Sequence, residues 1–520
     1  MKGVTPAASE LLPSSTRSSP WFLGLLFILV LGVQLVLYRD SLDVKPSSDD
    51  FIALHQIDRG ENEGIWSFFM ASDVSDYRPL QNVTFWLFGT VSRWHTLRML
   101  RLLHFLSFTF YASVAFLWIH TLGLSRMGAV VAVCVVFLHP TQTGALAGLD
   151  NYSRFVVSAW VWLGAWSAYV WSGRSRLAVP LVSLCFAIAL GYMEYGIALI
   201  PLAVLATAWK GEGRWFHDAW VMTVALLVIF GVYFLIRVSG QVATTSGTDS
   251  LSLDPLVWVK NTGMMAAAAL FFGNTVPIMQ EGSLPGFAWM SLNVMLIAGS
   301  LGYGIWSARR SLMAYAGGDP TIGSPAVAEE QRHLSFLAAA FAVSFFPMLL
   351  MKHISEIYLS AMILALALLA GFATRGWVTA SRPLRYLALV LAGAQMCMAV
   401  NAIQGKIAGI NEAGERTDAM MRQLLESLPQ DVDAKRVATV FLRQKGAGNG
   451  SYSVFAIPDE EWIPEGNGTY AIRWFRPDKD IRLDHLVVSD PSVVDLQPYD
   501  LVLLWENSSR RFSLMKRSAS

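Results

Sequence analysis

Apolar runs of a length that crosses hydrocarbon recur along this chain, and that pattern constrains its fold more than any other feature. A helix needs about 20 consecutive apolar residues to span a bilayer. Runs near that length occupy 21–38, 102–122, 126–141, 154–172, 177–193, 195–209, 217–237, 287–307, 333–351, 355–374 and 384–404. The 520 residues are 54% hydrophobic and 15% charged, an excess of apolar side chains that a soluble core of this size does not require. The sequence therefore predicts an all-α polytopic membrane protein with about 11 transmembrane helices. A further apolar stretch at 259–275 is short and flanked by glycine, and reads as a re-entrant or interfacial segment.

Basic residues in short loops set the orientation, because they are retained on the cytoplasmic side. With 259–275 not crossing, one side collects Lys2, Arg17, Arg126, Arg174, Arg176, Lys210, Arg214, Arg309, Arg310, Arg332, Arg375, Arg382 and Arg385. The short loops opposite hold only Lys352. Residues 1–20 are then a cytoplasmic leader and the first span is a retained signal anchor, since it ends Val-Leu-Tyr-Arg-Asp rather than in small residues. The segment 21–404 forms the membrane domain, with a first outer loop at 39–101. Residues 405–520 form a small extracytoplasmic α/β domain. In it a polar helix at 411–428 precedes β-rich runs at 437–442, 452–457, 470–475, 485–488 and 499–505. A formal charge of +1 without a basic tract excludes a nucleic-acid partner. Cys134, Cys185 and Cys397 fall in apolar runs, where they make neither a disulfide framework nor a metal site.

This topology gathers the candidate site residues on one outer surface. Asp49 and Asp50 follow the first span, and a carboxylate at the mouth of a membrane cavity can serve as general base on an acceptor hydroxyl. The same pair offers ligands to a divalent cation such as Mg or Mn. Tyr77-Arg78-Pro79-Leu80 precedes an amphipathic stretch that Pro79 would start as a helix. The guanidinium of Arg78 suits phosphate oxygens. His139-Pro140 closes the third span, and Asp150 and Arg154 open the fourth at i,i+4 spacing, where they either pair or face a cavity. Glu194 lies in the tight reversal Gly191-Tyr-Met-Glu-Tyr-Gly196, and a carboxylate so close to hydrocarbon is a functional candidate by default. Lys352, His353, Glu356 and Tyr358 cluster at the outer end of a later span, where the cations could neutralise a phosphate leaving group.

In their order along the chain, these motifs resemble those of the GT-C superfamily of integral membrane glycosyltransferases. They are most like the tetratricopeptide-repeat protein O-mannosyltransferases and their repeat-less bacterial relatives. The resemblance covers about residues 21–375. It implies a multi-span bundle using a polyprenyl-phosphate-linked sugar donor and inverting the anomeric centre. It also implies Asp49 or Asp50 as catalytic base, with Asp49 favoured. Arg78, Lys352 and His353 would lie near the lipid phosphate, with Tyr77, His139, Asp150, Arg154, Glu194, Glu356 and Tyr358 around the cavity. The chain departs from the pattern in having Met193-Glu194 where the relatives often carry Lys-Glu, and in carrying 405–520 in place of the repeats.

The expectation is a hexosyl- or pentosyltransferase of the cell envelope, acting on a glycan, lipopolysaccharide or protein. Its setting would be a bacterial inner membrane, with the site and C-terminal domain facing the periplasm. A transporter or lipid-linked sugar flippase is the first rival, but it would show repeated halves and ionisable groups at the bilayer midplane. A glycan polymerase or ligase is the second, using a diphosphate-linked oligosaccharide.

Overall fold

The computed structural model describes residues 18–46, 50–69, 77–91, 96–172, 174–210, 215–240, 254–275, 284–315, 325–349, 356–428, 436–442, 481–488, 490–506, 509 and 511–517. Helix α1 (Pro20–Leu37) opens on a strong start signal. Pro20 takes the first helical position and the Ser19 side chain accepts from the Phe22 N–H at 3.3 Å. The segment after it folds as α2 (Asp50–Glu63) and α3 (Pro79–Val91), and α3 begins at Pro79, where the sequence placed a helix start. The chain continues through α4 (Thr96–Thr121), α5 (Arg126–Leu138), the short α6 (Gln142–Ala147), α7 (Ser153–Val170), α8 (Ser175–Tyr192), α9 (Leu199–Lys210) and α10 (Trp215–Gly240). Then come α11 (Pro255–Leu270), α12 (Leu284–Tyr315), α13 (Pro325–Val343), the short α14 (Phe346–Leu349), α15 (Ser360–Thr379) and α16 (Arg382–Ser427).

Most runs expected to span fall on one helix, but 333–351 falls on two, α13 and the short α14, while 195–209 and 355–374 open in the 3-10 turns Glu194–Ala198 and Glu356–Leu359. Among the described residues six are long and apolar enough to cross a membrane by length and composition: Pro20–Leu37, Leu97–Thr121, Trp215–Arg237, Pro285–Arg310, Ser360–Val378 and Arg382–Ser427. Apolar helices at Arg126–Leu138, Arg176–Tyr192 and Glu194–Trp209 are shorter. The segment expected to be re-entrant or interfacial forms α11, a 16-residue helix with Asp254 capping its first turn.

Burial divides the long helices into two groups. The apolar window of α15 is 78% buried, and that of α1 only 11%. A helix apolar all round that packs little of itself against protein needs lipid as its solvent. Helix α15 is the centre of the bundle, packed between α5 and α12. Buried indoles there find backbone partners, as an apolar interior requires. Trp118 donates to the Trp162 carbonyl at 3.0 Å, and Trp162 donates to the Ala361 carbonyl at 2.8 Å.

The change of composition at 405 does not mark a break in the backbone. Helix α16 runs 46 residues without interruption, about 69 Å at 1.5 Å per residue, more than twice a hydrocarbon core. Its polar second half docks on the segment that follows α1. Lys45 Nζ donates to Glu415 and Asp418, each at 2.9 Å. A Cβ on Gly414 would lie 2.6 Å from the Lys45 carbonyl oxygen, so helix and loop touch backbone to side. Asp418 first and then Glu415 raise the Lys45 pKa, so this latch is complete below the ordinary lysine value and weakens only as pH climbs beyond it. Exposed ion pairs contribute little, so Lys45→Met is expected to cost under about 1 kcal/mol. Gly414→Val, which must push the two backbones apart, is expected to cost about 1–3 kcal/mol. Thermal unfolding of the two variants side by side checks that ranking.

Beyond α16 lies a four-stranded sheet of order β2-β1-β3-β4. Strand β1 (Arg436–Leu442) runs parallel to both β2 (Arg482–Val488) and β3 (Leu501–Glu506), while β4 (Arg511–Arg517) is antiparallel to β3. Side chains alternate as a pleated strand dictates. Val437, Phe441, Leu503 and Trp505 join Met420, Met421 and Leu424 of α16 in one cluster, while Ala438, Val440 and Val502 form another. The runs expected at 437–442, 485–488 and 499–505 fall on β1, β2 and β3. Those at 452–457 and 470–475 lie outside the described residues.

Candidate functional site

The site is built on the reversal between α8 and α9. Helix α8 ends at Tyr192, Met193 is extended (φ −170°, ψ 144°), and Glu194–Ala198 form a 3-10 turn leading into α9. Because Met193 is extended, the side chains of Met193 and Glu194 leave the backbone in opposite directions. The glycines make this tight turn fit. A Cβ on Gly191 would meet Leu80 Cδ1 at 2.7 Å, and one on Gly196 would meet the Ala189 carbonyl carbon at 2.9 Å.

Glu194 is held in a fork. Arg78 Nη2 donates to Oε1 at 3.1 Å and Arg78 Nε to Oε2 at 3.5 Å, while Arg237 Nη1 lies 3.6 Å from Oε2. Arg78 stands directly before α3 and Arg237 lies in the last turn of α10, so one carboxylate ties together three elements. Tyr77 fixes the approach of the chain, its ring 5.8 Å from that of Tyr233 and its carbonyl accepting from the Tyr233 hydroxyl at 3.2 Å. Further bonds press α3 onto the bundle. Thr84 and Tyr192 share a hydroxyl contact at 2.9 Å, and Tyr152 donates to the Gln81 carbonyl at 3.0 Å.

Burial pushes the Glu194 carboxyl up, but Arg78 and then Arg237 outweigh it and hold it well below the ordinary carboxylate range. Its stabilisation is therefore present above the ordinary carboxylate value and is lost as pH falls below it. Removing one partner of a fully buried pair costs about 3–5 kcal/mol. The Glu194 side chain is 37% exposed, which calls for a discount. Glu194→Gln is expected to lose about 1–3 kcal/mol at neutral pH. Thermal unfolding against pH checks this, since the gap between wild type and variant should close in acid.

Arg154, in the first turn of α7, occupies the Met193 side of the reversal. It is 6% exposed, its guanidinium carbon stands 4.1 Å over the centre of the Tyr358 ring, and Nη1 faces the Met193 sulfur. Nearby, Ser360 Oγ donates to Gln142 Oε1 at 2.9 Å and the Tyr111 hydroxyl donates to the Ser360 carbonyl.

His139 belongs to a different cluster. Its Nε2 is 2.9 Å from the Ala269 carbonyl and so carries the proton, leaving Nδ1 to accept from Thr141 Oγ1 at 2.7 Å. Lys406 of α16 donates to the Pro140 carbonyl at 3.3 Å and to Thr275 Oγ1 at 3.5 Å. With both ring nitrogens engaged, His139 caps α5 and fastens it to α11 beside α16.

Asp50 begins α2 and is buried, and α2 packs on α3. Asp49, Lys352 and His353 lie outside the described residues. So do the side chains of Asp150 and Glu356, whose backbones fall in the 3-10 turns Leu149–Tyr152 and Glu356–Leu359. Among the described residues, no group of three or more His, Cys, Asp or Glu side chains gathers as a metal site. Of the residues named from the sequence, Arg78 and Glu194 meet, while Tyr77 packs on Tyr233 beside them. Sequence reasoning passed over Arg237, whose signal was a guanidinium at the end of an otherwise apolar run.

The class these features define is a helical bundle of membrane-spanning character with a charged site at a helix reversal. No protein-family model matches the chain, and no curated protein matches it. Among solved structures it is similar to ArnT from Cupriavidus metallidurans bound to undecaprenyl phosphate. The identity is 14%, 92% of this chain and 93% of that chain are covered, and the TM-score is 0.42. ArnT from the same organism in the apo state gives 11% identity, the same coverage and a TM-score of 0.39. Likenesses this faint carry no argument about activity, which rests instead on the side chains.

Proposed function

We propose that this protein is an integral membrane glycosyltransferase of the GT-C type. It moves one sugar from a polyprenyl-phosphate carrier to a hydroxyl of an acceptor on the outer face of the membrane. The observation that carries the reading is the Arg78–Glu194 fork. Two residues 116 positions apart, one in Tyr77-Arg78-Pro79-Leu80 and one in an apolar reversal, meet as parts of one site. Their joint appearance is what the sequence shares with that superfamily.

In the proposed reaction Asp49 or Asp50 takes the proton of the acceptor hydroxyl. The freed oxygen attacks the anomeric carbon opposite the phosphate, and the carbon–oxygen bond to the phosphate breaks. Configuration inverts, and the lipid phosphate departs with the bonding electron pair. Cations at the outer helix ends stabilise that anion in a setting of low dielectric, where such contacts are strong. Holding both substrates in one interfacial cavity makes the encounter an oriented step. The acceptor class proposed is an envelope glycan, lipopolysaccharide or protein, and the proposed setting is a bacterial inner membrane with the site facing the periplasm.

The test is chemical and cellular together. The full chain in lipid nanodiscs is given labelled polyprenyl-phosphate sugars, and release of polyprenyl phosphate is followed. A deletion strain is profiled for surface glycans in parallel. Loss of one sugar from a surface glycan, restored by the wild-type gene, supports the transferase. An unchanged profile together with no turnover of any lipid-linked sugar rejects it.

A further inference from the structure

We propose that Arg154 is the residue that receives the phosphate of the lipid donor, a role that the family resemblance gives to Arg78, Lys352 and His353. The inference rests on the transferase reading above and names a group within that site.

Two arginines flank the Met193-Glu194 reversal and differ in how their charge is met. Arg78 is engaged by the Glu194 carboxylate at 3.1 Å. Arg154 is nine-tenths buried, yet no ion pair reaches it among the described residues, and its Nε has no hydrogen-bond partner there. Its contacts are the face of Tyr358 and the thioether of Met193, a ring quadrupole and a weak acceptor. Neither offsets the desolvation of a full positive charge, which costs several kcal/mol when left unpaired.

The Tyr358 ring lies 4.1 Å from the guanidinium carbon and covers one side of the group. A guanidinium keeps its N–H donors in plane, in the fork that phosphate oxygens accept from. Gln142 stands close by, its Oε1 accepting from Ser360 Oγ at 2.9 Å and its amide beside the Tyr111 hydroxyl. Tyr358 and Ser360 are two residues apart in one turn, so a buried cation and a buried amide donor flank the same short stretch. An anion bound there is the partner that Arg154 lacks among the described residues. The first turn of α7 stands at the outer end of its helix by the topology above, the level at which a lipid headgroup sits.

The experiment measures binding of polyprenyl monophosphate, without sugar, to the full chain in nanodiscs. Inorganic phosphate and the uncharged polyprenol serve as separate arms. Arg154→Gln is expected to weaken the lipid phosphate about 10- to 100-fold, as loss of a charge-assisted bond does, and to leave polyprenol unchanged. Arg154→Lys keeps the charge without the fork and should fall between, and it decides the matter if the glutamine variant does not fold. Unchanged affinity in Arg154→Lys together with folded, fully binding Arg154→Gln overturns the assignment. Inorganic phosphate binding as tightly as the lipid overturns a lipid ligand. A wild-type protein that binds no polyprenyl monophosphate removes the transferase reading as well, whereas equal binding by wild type and variants removes only the role of Arg154.

Discussion

Asp49→Asn is expected to lower turnover by about 10²–10⁴-fold while leaving donor binding and thermal stability near wild type, the signature of a lost general base. Asparagine keeps the shape and one acceptor oxygen of aspartate but cannot take a proton, so the substitution isolates the chemistry. The neighbouring acid should behave differently. Asp50 is the first residue of α2 and is buried there. A carboxylate at a helix N-terminus interacts favourably with the backbone dipole, a contribution of about 0.3–1 kcal/mol, so Asp50→Asn is expected to appear first in thermal unfolding. Measured kcat, donor affinity and melting temperature for both variants separate the roles. If kcat collapses in Asp50→Asn alone, the base is Asp50. If both variants turn over like wild type, the acidic pair does no chemistry and the proposed mechanism falls with it.

The sequence was informative where composition and backbone report the same thing. Apolar runs bounded by charge became helices because hydrocarbon leaves the backbone no other way to pair its hydrogen bonds. Pro79 began α3 because proline at the first helical position sacrifices no hydrogen bond. The turn at Gly191–Gly196 was legible because two glycines bracket a carboxylate where almost no loop length is available. Composition failed where surroundings change and the backbone does not. Helix α16 passes through position 405 unbroken, since a helix that moves from an apolar to a polar environment alters its side chains and not its hydrogen bonds. Pairings across the fold were also hidden. Arg237 looks like any cation closing a span, and only its approach to Glu194 gives it a role. Strand β4 escaped notice because Arg511 to Arg517 is short and charged at both ends, yet Phe512 stacks edge-on against Trp505 of β3.

The largest loss of stability is expected from the glycines that let α15 lie against its neighbours. Between helices in lipid there is no hydrophobic drive, so association depends on close packing at small residues. Helix α15 uses two such contacts. Towards α5, a Cβ on Gly128 would stand 2.6 Å from the Gly371 carbonyl oxygen, and one on Gly371 would stand 2.8 Å from that of Gly128. Towards α12, a Cβ on Gly376 would collide with the Gly304 carbonyl oxygen and approach the Ala308 nitrogen to 2.8 Å. These obstacles are backbone atoms, which cannot swing aside as a side-chain end can. Gly376→Val must therefore separate α12 from α15, break the 3.2 Å bond from Ser307 to the Gly376 carbonyl, and loosen the helix at the centre of the bundle. Overpacking of a core costs about 1–3 kcal/mol where side chains yield, and a rigid obstruction belongs at or above the top of that range. Gly302 on α12 provides the control, since a Cβ there meets nothing within 4 Å. Gly302→Ala should be neutral or stabilise by about 0.5–1 kcal/mol through helix propensity. Detergent-solubilised yield and melting temperature of the two variants distinguish the cases. A Gly376→Val protein as stable as Gly302→Ala would mean that α12 and α15 do not pack through their glycines.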